Sequence, residues 1–141
     1  MEKRVVITGL GAVTPVGIGK ENFYNALLAG QSGIGPITRF DASDYATRIA
    51  GEVKDFDFAN YGDKKEGKRM DRVTQFAVAA AKLAVEDAEL DLEKIDPVRA
   101  GVCVGSGIGG IHTFLEQSLK YGEKGPGKIS PFFIPMEIPN M

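Results

Sequence analysis

The segment VCVGSGIGGI, Val102 to Ile111, gathers the residue types best suited to chemistry in this 141-residue chain. Gly105, Gly107 and Gly110 follow an apolar run and precede a helix-like stretch. That is the G-x-G-x-x-G context in which backbone N–H groups at a helix N-terminus cradle a dinucleotide phosphate. The same chemistry needs a second strand soon after the helix, ending in Asp or Glu for the ribose. Here the helix is followed by GEKGPGKISPFFIP, whose glycines and prolines argue against a central strand, and Glu137 sits between prolines. The other glycine turn, Gly9 to Thr14, carries threonine where the third glycine is required. The pattern therefore reads as a sharp bend that lets other backbone come close, not as a phosphate site.

Two reactive side chains flank this bend. Cys103, the single cysteine, lies between Val102 and Val104 in a strand-like run, where a thiol is apolar and inert, and it reads as core packing. His112, the single histidine, follows nine residues later at a helix start; strand interiors and loop tops seldom meet, so no nucleophile–base pair is assigned. One cysteine and one histidine exclude an internal disulfide framework and a Cys-rich zinc site, and no metal or organic cofactor is implied. The densest cationic run is Lys64, Lys65, Lys68 and Arg69 in KKEGKRMDR, with Lys124 and Lys128 further on. By itself such a run is a solvated face. Lys plus Arg number 17 against 19 Asp plus Glu, a net charge of -2, so no global basic field marks a nucleic-acid binder.

The elements that must position these residues follow from periodicity. Val5-Val6-Ile7-Thr8 is a β-branched run closed by Gly9, the pattern of a buried strand opening a parallel sheet. Lys20 to Ala29 reads as a helix with Phe23, Ala26 and Leu27 on one face and Gly30 as its stop. Gln31 to Asp63 is irregular, with one strand expected over Arg48 to Lys54. Asp71 to Leu90 is the strongest helix, with Phe76, Ala80, Leu83 and Ala84 in one stripe and Val73, Ala77, Ala81 and Val85 widening it; its small residues invite close neighbours. After Asp96-Pro97, Arg99 to Gly105 reads as a second strand, and Ile111 to Lys120 as an amphipathic helix with Ile111, Phe114, Leu115 and Leu119 inward. Strand, helix, strand, glycine turn and helix argue for an α/β layered fold. With 43% hydrophobic residues, a real core is expected.

The closing KISPFFIPMEIPNM, with three prolines and seven large apolar residues, needs a partner surface, and the sheet is thin; the chain reads as the front part of a larger protein. No apolar stretch approaches a membrane span, and MEKRVVITGLG lacks the form of a signal peptide, so a soluble, cytoplasmic protein without a membrane partner is expected.

Five stretches taken together, RVVITGLGAVTPVG, LLAGQSGI, KRMDR, VGSGIGG and KISPFFIP, resemble in order and spacing the front portion of the β-ketoacyl synthases of fatty-acid elongation, in the synthase II type. The resemblance covers essentially all of residues 1–141. It implies a thiolase-like layered fold of two similar α/β halves, with this chain covering most of the first. It also implies transfer of an acyl group from a carrier-protein thioester to a cysteine, then decarboxylative Claisen condensation with malonyl-carrier protein. In the family the nucleophilic cysteine, two histidines and a lysine follow the region that these 141 residues resemble. The resemblance therefore assigns no catalytic residue to this chain and implies an inactive piece, truncated before the nucleophile.

Residue by residue, the resemblance places Gly107 and Ile108 at the acyl pocket, with Ile108 as a gate along the acyl channel, and Phe133 as a side chain reaching across a homodimer interface into the partner's pocket. Without it, Ile108, Phe132 and Phe133 read as ordinary core. It also turns the cationic run into a docking face for an acidic acyl carrier protein, through Lys65, Lys68, Arg69 and Lys128, with Gly127 a departure where relatives often carry a further basic residue. Two alternatives stay open: a non-catalytic partner subunit that sets product length, a chain-length factor, and a polyketide ketosynthase.

Overall fold

The computed structural model describes residues 4–138 and divides into two compact units. One runs to Asp57 and adds Ala80–Leu90; the other comprises Phe58–Ala79 and the chain from Asp91 onward.

In the first unit, among the described residues, 4–12 belong to no sheet. Val5 and Ile7 are 95% and 82% exposed, so the strand expected at Val5 to Thr8 does not form: an isolated extended run has no ladder to join. Its end is nevertheless fixed, because Gly9 and Gly11 lie directly on the backbone of a helix at Ala80 and Ala84. A Cβ at Gly9 would meet the Ala88 Cβ at 2.7 Å, and one at Gly11 would overlap the Ala80 carbonyl. The Asp87 carboxylate accepts the Leu10 N–H at 2.9 Å and pairs with Lys20. This is the close approach that the helix's alanines invite.

A tight hairpin follows, β1 (Val13–Thr14) and β2 (Gly17–Ile18), antiparallel, with the Thr14 hydroxyl donating to the Gly17 carbonyl at 2.8 Å. Helix α1 (Lys20–Leu28) then ends as expected at Gly30, whose φ of 64° suits glycine. The Gly30 and Gln31 N–H groups return to the carbonyls of Leu27 and Ala26, a Schellman closure that satisfies the last orphan acceptors. Of the face expected inward, Ala26 is buried but Leu27 is 54% exposed.

A second antiparallel pair, β3 (Ile34–Pro36) with β4 (Ile49–Gly51), aligns Ile34 with Gly51. β4 falls inside the strand expected over 48–54; β3, Ile-Gly-Pro, has a turn-like composition that hid it. The Glu52 carboxylate clips the intervening loop by accepting from the Thr38 N–H and hydroxyl at 3.0 and 2.6 Å and from the Arg39 N–H at 3.2 Å.

In the second unit Phe58, 7% exposed, packs over Gly62 and Gly67, where a Cβ would come within 2.7 and 2.5 Å of its ring. The short helix α2 (Lys64–Gly67) starts at Asp63, whose carboxylate accepts the Lys65 and Glu66 N–H groups at 2.7 and 3.1 Å. Helix α3 (Arg72–Asp87) begins in this unit and continues in the other. Its buried residue is Ala79, which belongs to neither expected stripe. After a helical turn at Leu92–Lys94 and a turn over 97–99, in which the Arg99 N–H donates to the Asp96 carbonyl at 3.0 Å, residues 100–105 follow, and among the described residues no ladder includes them. The second expected strand is therefore absent too, with Val98 and Val102 92% and 89% exposed. Helices α4 (Ile111–Lys124) and α5 (Phe133–Glu137) close the unit. Pro139, Asn140 and Met141 of the apolar closing stretch lie outside the described residues.

Among the described residues the buried apolar side chains are Ala26, Ala42, Phe58 and Ala79, a smaller core than the composition leads one to expect. The sheets are two-stranded and antiparallel, not the parallel sheet that the opening run suggested.

Candidate functional site

The glycine turn is built at its end, not its start. Around Gly105 and Gly107 there is open space, whereas a Cβ on Gly110 would come within 2.6 Å of the Met136 carbonyl oxygen and 3.0 Å of the Asp71 Cβ. The Gly110 N–H donates to the Glu137 carbonyl at 2.7 Å, and the Gly109 N–H to the Ser106 hydroxyl at 2.9 Å, with Gly109 in the left-handed region at φ 78°. The glycine at 110 thus serves backbone-on-backbone packing, the bend expected from the sequence. Ile108, at its crown, is 71% exposed.

Helix α4 leaves this turn with its polar side inward. Thr113 and Gln117 are 3% and 5% exposed, while Ile111, Leu115 and Leu119 stand open to more than half. This reverses the expected orientation, and the reason lies in hydrogen bonding. The Asp71 carboxylate accepts the Thr113 N–H and hydroxyl at 2.8 and 2.7 Å, and the Gln117 side-chain oxygen accepts the Ser130 N–H at 2.8 Å. Backbone groups that would otherwise be orphaned choose the polar face. Burial pushes the Asp71 carboxyl up; the donors from Thr113 and Val73 and the nearby His112 outweigh it and hold the group below its ordinary value. Sequence inspection missed Asp71, Thr113 and Gln117 as partners; an Asp just before a strong helix was the signal at hand for the first.

Phe133, at the start of α5, is half-buried against Phe114 at 6.3 Å between ring centroids. Phe132 is 42% exposed and carries the Arg69 guanidinium 4.8 Å above its ring. That contact ties Arg69, which follows α2, to Phe132, in the stretch after the helical turn Pro126–Lys128 that bears Lys128. Lys65, Lys68, Arg69 and Lys128 are all exposed. Cys103 is exposed as well, a correction to its reading as core: among the described residues no strand pairs with the segment around it. Among the described residues no group of three His, Cys, Asp or Glu side chains could hold a metal, and no helix is long and apolar enough to cross a membrane.

Residues 2–141 match the family model described as "Beta-ketoacyl synthase, N-terminal domain". The chain belongs to the β-ketoacyl synthase family. Within the family it is 51% identical over 140 residues to a 3-oxoacyl-[acyl-carrier-protein] synthase 2 of Synechocystis sp., covering 99% of this chain and 34% of that protein. Against the protein of the same name from Staphylococcus aureus it is 48% identical over 139 residues, with the same coverage. The chain thus spans about a third of the length of the curated relatives it matches.

Solved ketosynthases share its fold. The ishigamide ketosynthase/chain length factor matches with a TM-score of 0.79 at 36% identity, over 94% of this chain and 33% of that one. A type II polyketide ketosynthase, bound to a hexaketide and in complex with its acyl-carrier protein, matches at 0.79 and 27% identity, over 99% and 37%. Over the part it covers, the chain has the thiolase-like α/β fold of the β-ketoacyl synthases, as its five motifs led one to expect.

Proposed function

We propose that this β-ketoacyl synthase domain works as the N-terminal part of a 3-oxoacyl-[acyl-carrier-protein] synthase of fatty-acid elongation. The observation that carries the reading is the 51% identity over 140 residues to a synthase 2. In the proposed reaction an acyl group passes from its carrier thioester to a cysteine thiolate, malonyl-carrier protein loses CO2, and the resulting enolate attacks the acyl thioester and expels the thiolate. No residue of this chain is assigned to those bond changes.

The chain's own contribution is to receive and orient. Gly107, Ile108 and Phe133 line the acyl pocket in this reading. It is supported by the open space at Gly107, which lets a chain approach the backbone, and by the exposed Ile108 on a turn whose end is locked. Lys65, Lys68, Arg69 and Lys128 receive the acidic carrier protein; the Arg69–Phe132 contact, which ties Arg69 to the stretch after Lys128, supports it. The open apolar row Ile111, Leu115 and Leu119 on α4 supports a homodimer, with a second copy of the chain covering it. The cytoplasm is the proposed compartment.

A second reading is favoured by the 36% identity to a ketosynthase/chain length factor: a partner subunit that keeps the fold and sets product length without condensing. Related to it is a ketosynthase that extends polyketides.

One assay separates a condensing enzyme from a partner subunit that does not condense. The full-length protein is supplied with acyl-carrier and malonyl-carrier substrates of increasing acyl length, with iodoacetamide as a trap for the thiolate. Iodoacetamide-sensitive condensation is expected, and Ile108→Phe should depress the longest acyl chains about tenfold more than the shortest. No condensation at any length removes the synthase reading, and a uniform effect of Ile108→Phe returns that residue to ordinary packing.

A further inference from the structure

The residue that fixes the glycine turn is not in the turn. Asp71 is 6% exposed, and its two carboxylate oxygens are divided between two helices: one accepts the Val73 N–H at 3.2 Å in the first turn of α3, the other the Thr113 N–H and hydroxyl in the first turn of α4. A carboxylate is suited to this task because every partner is a donor and both its oxygens accept. An amide side chain has one acceptor oxygen and so can serve only one of the two helices.

Three elements meet at the same point. Gly110 lies against the Asp71 Cβ on one side and the Met136–Glu137 backbone on the other, so the start of α3, the start of α4 and the end of α5 are pinned together. Ile108 is two residues before that junction. Phe114, which carries Phe133, is one residue after Thr113, and Gln117 holds Ser130, three residues before Phe133. A shift of α4 against Asp71 therefore changes the placement of Ile108 and of Phe133 together.

We propose that Asp71 is a positioning residue for acyl-length selection: by capping α3 and α4 with one buried carboxylate, it sets the distance between the Ile108 turn and the Phe133 segment. The proposal rests on the reading of Gly107, Ile108 and Phe133 as the acyl pocket. It adds that selectivity depends on a side chain touching neither the acyl chain nor the carrier protein.

The test uses the full-length protein with Asp71→Asn, Thr113→Val and Thr113→Ser. Thr113→Val removes the hydroxyl donor and leaves the N–H bond in place; Thr113→Ser restores the hydroxyl. Hydrogen exchange of the peptide covering 105–114 reads the turn directly, and the ratio of kcat/KM for long over short acyl-carrier substrates reads selectivity. Exchange about tenfold faster in Asp71→Asn and Thr113→Val, with a ratio altered about fivefold and restored in Thr113→Ser, is expected. Unchanged exchange with an unchanged ratio overturns the proposal. Faster exchange with an equal loss at every acyl length also overturns it, because the contact is then structural only. If the wild-type protein condenses no acyl substrate, the pocket reading fails, and with it the selectivity claim; the exchange arm still decides whether Asp71 fixes the turn.

Discussion

At Asp71 the balance between burial and hydrogen bonding has a direct consequence for stability. Burial acts to raise its pKa, but the Thr113 hydroxyl and N–H, the Val73 N–H and the His112 charge together leave it depressed. A carboxylate with a lowered folded-state pKa binds protons more weakly than in the unfolded chain. Its contribution is thus present above the unfolded value of about 3.9 and is lost as pH falls through the folded one. The stability difference between wild type and Asp71→Asn in the full-length protein is expected to be about 1–2 kcal/mol near pH 6. It should shrink steadily below pH ~4, where the protonated acid and the amide become alike in charge. Urea unfolding at both pH values checks this; a difference that stays constant down to pH ~3 would show that the charge contributes nothing. The other depressed carboxylates answer to other donors, Asp41 to Ser43, Glu52 to Thr38, Asp87 to Lys20 and Leu10, Glu116 to Lys120. They titrate in the same direction without binding distant elements of the second unit together.

At the level of elements, α2 and α4 show how far local sequence predicts orientation. The short α2 exists because Asp63 caps it and Phe58 packs on Gly67, and its lysines are left on the outside. That arrangement fits a docking face, and the Arg69–Phe132 stack dictates how to probe it. Replacing Arg69 also disturbs the segment leading to Phe133, so Lys65→Glu with Lys68→Glu is the cleaner pair. In the full-length protein this pair should raise KM for an acyl-carrier substrate about tenfold while sparing a small acyl thioester, and added salt should mimic the effect on wild type. An equal loss on both substrates would refute carrier docking at α2. For α4 the sequence shows a clear apolar stripe, yet the helix packs by Thr113 and Gln117, because the backbone donors around it needed acceptors more than its leucines needed cover.

On the scale of the whole molecule, the exposed row on α4 is the feature with the clearest consequence for assembly. Ile111, Leu115 and Leu119 follow each other at helical spacing, each more than half exposed, and the homodimer proposed above would cover this stripe with a second copy. If a second copy covers it, Leu115→Glu places a charge in that contact. Sedimentation velocity of the full-length protein should then show a dimer in wild type and a shift to monomer in the variant. A dimer that ignores Leu115→Glu assembles through another surface. Val5, Ile7 and Val102 are exposed as well, and among the described residues no ladder includes them.

The sequence by itself determined the family and three of the helices, α1, α3 and α4. Five motifs in order settled the first, and α1, α3 and α4 were legible because apolar period, glycine stops and proline breaks act within a few residues of one another. The bend at Gly110 was legible for the same reason. Tertiary structure alone decided that, among the described residues, Val5 to Thr8 and Arg99 to Gly105 join no ladder and that Cys103 is exposed. It alone decided that α4 turns its polar side inward and that Asp71 joins α3 to α4. Strand pairing and the partner of a buried carboxylate are set by residues far away in sequence, Asp71 and Thr113 being 42 apart, and no local pattern encodes which distant group arrives.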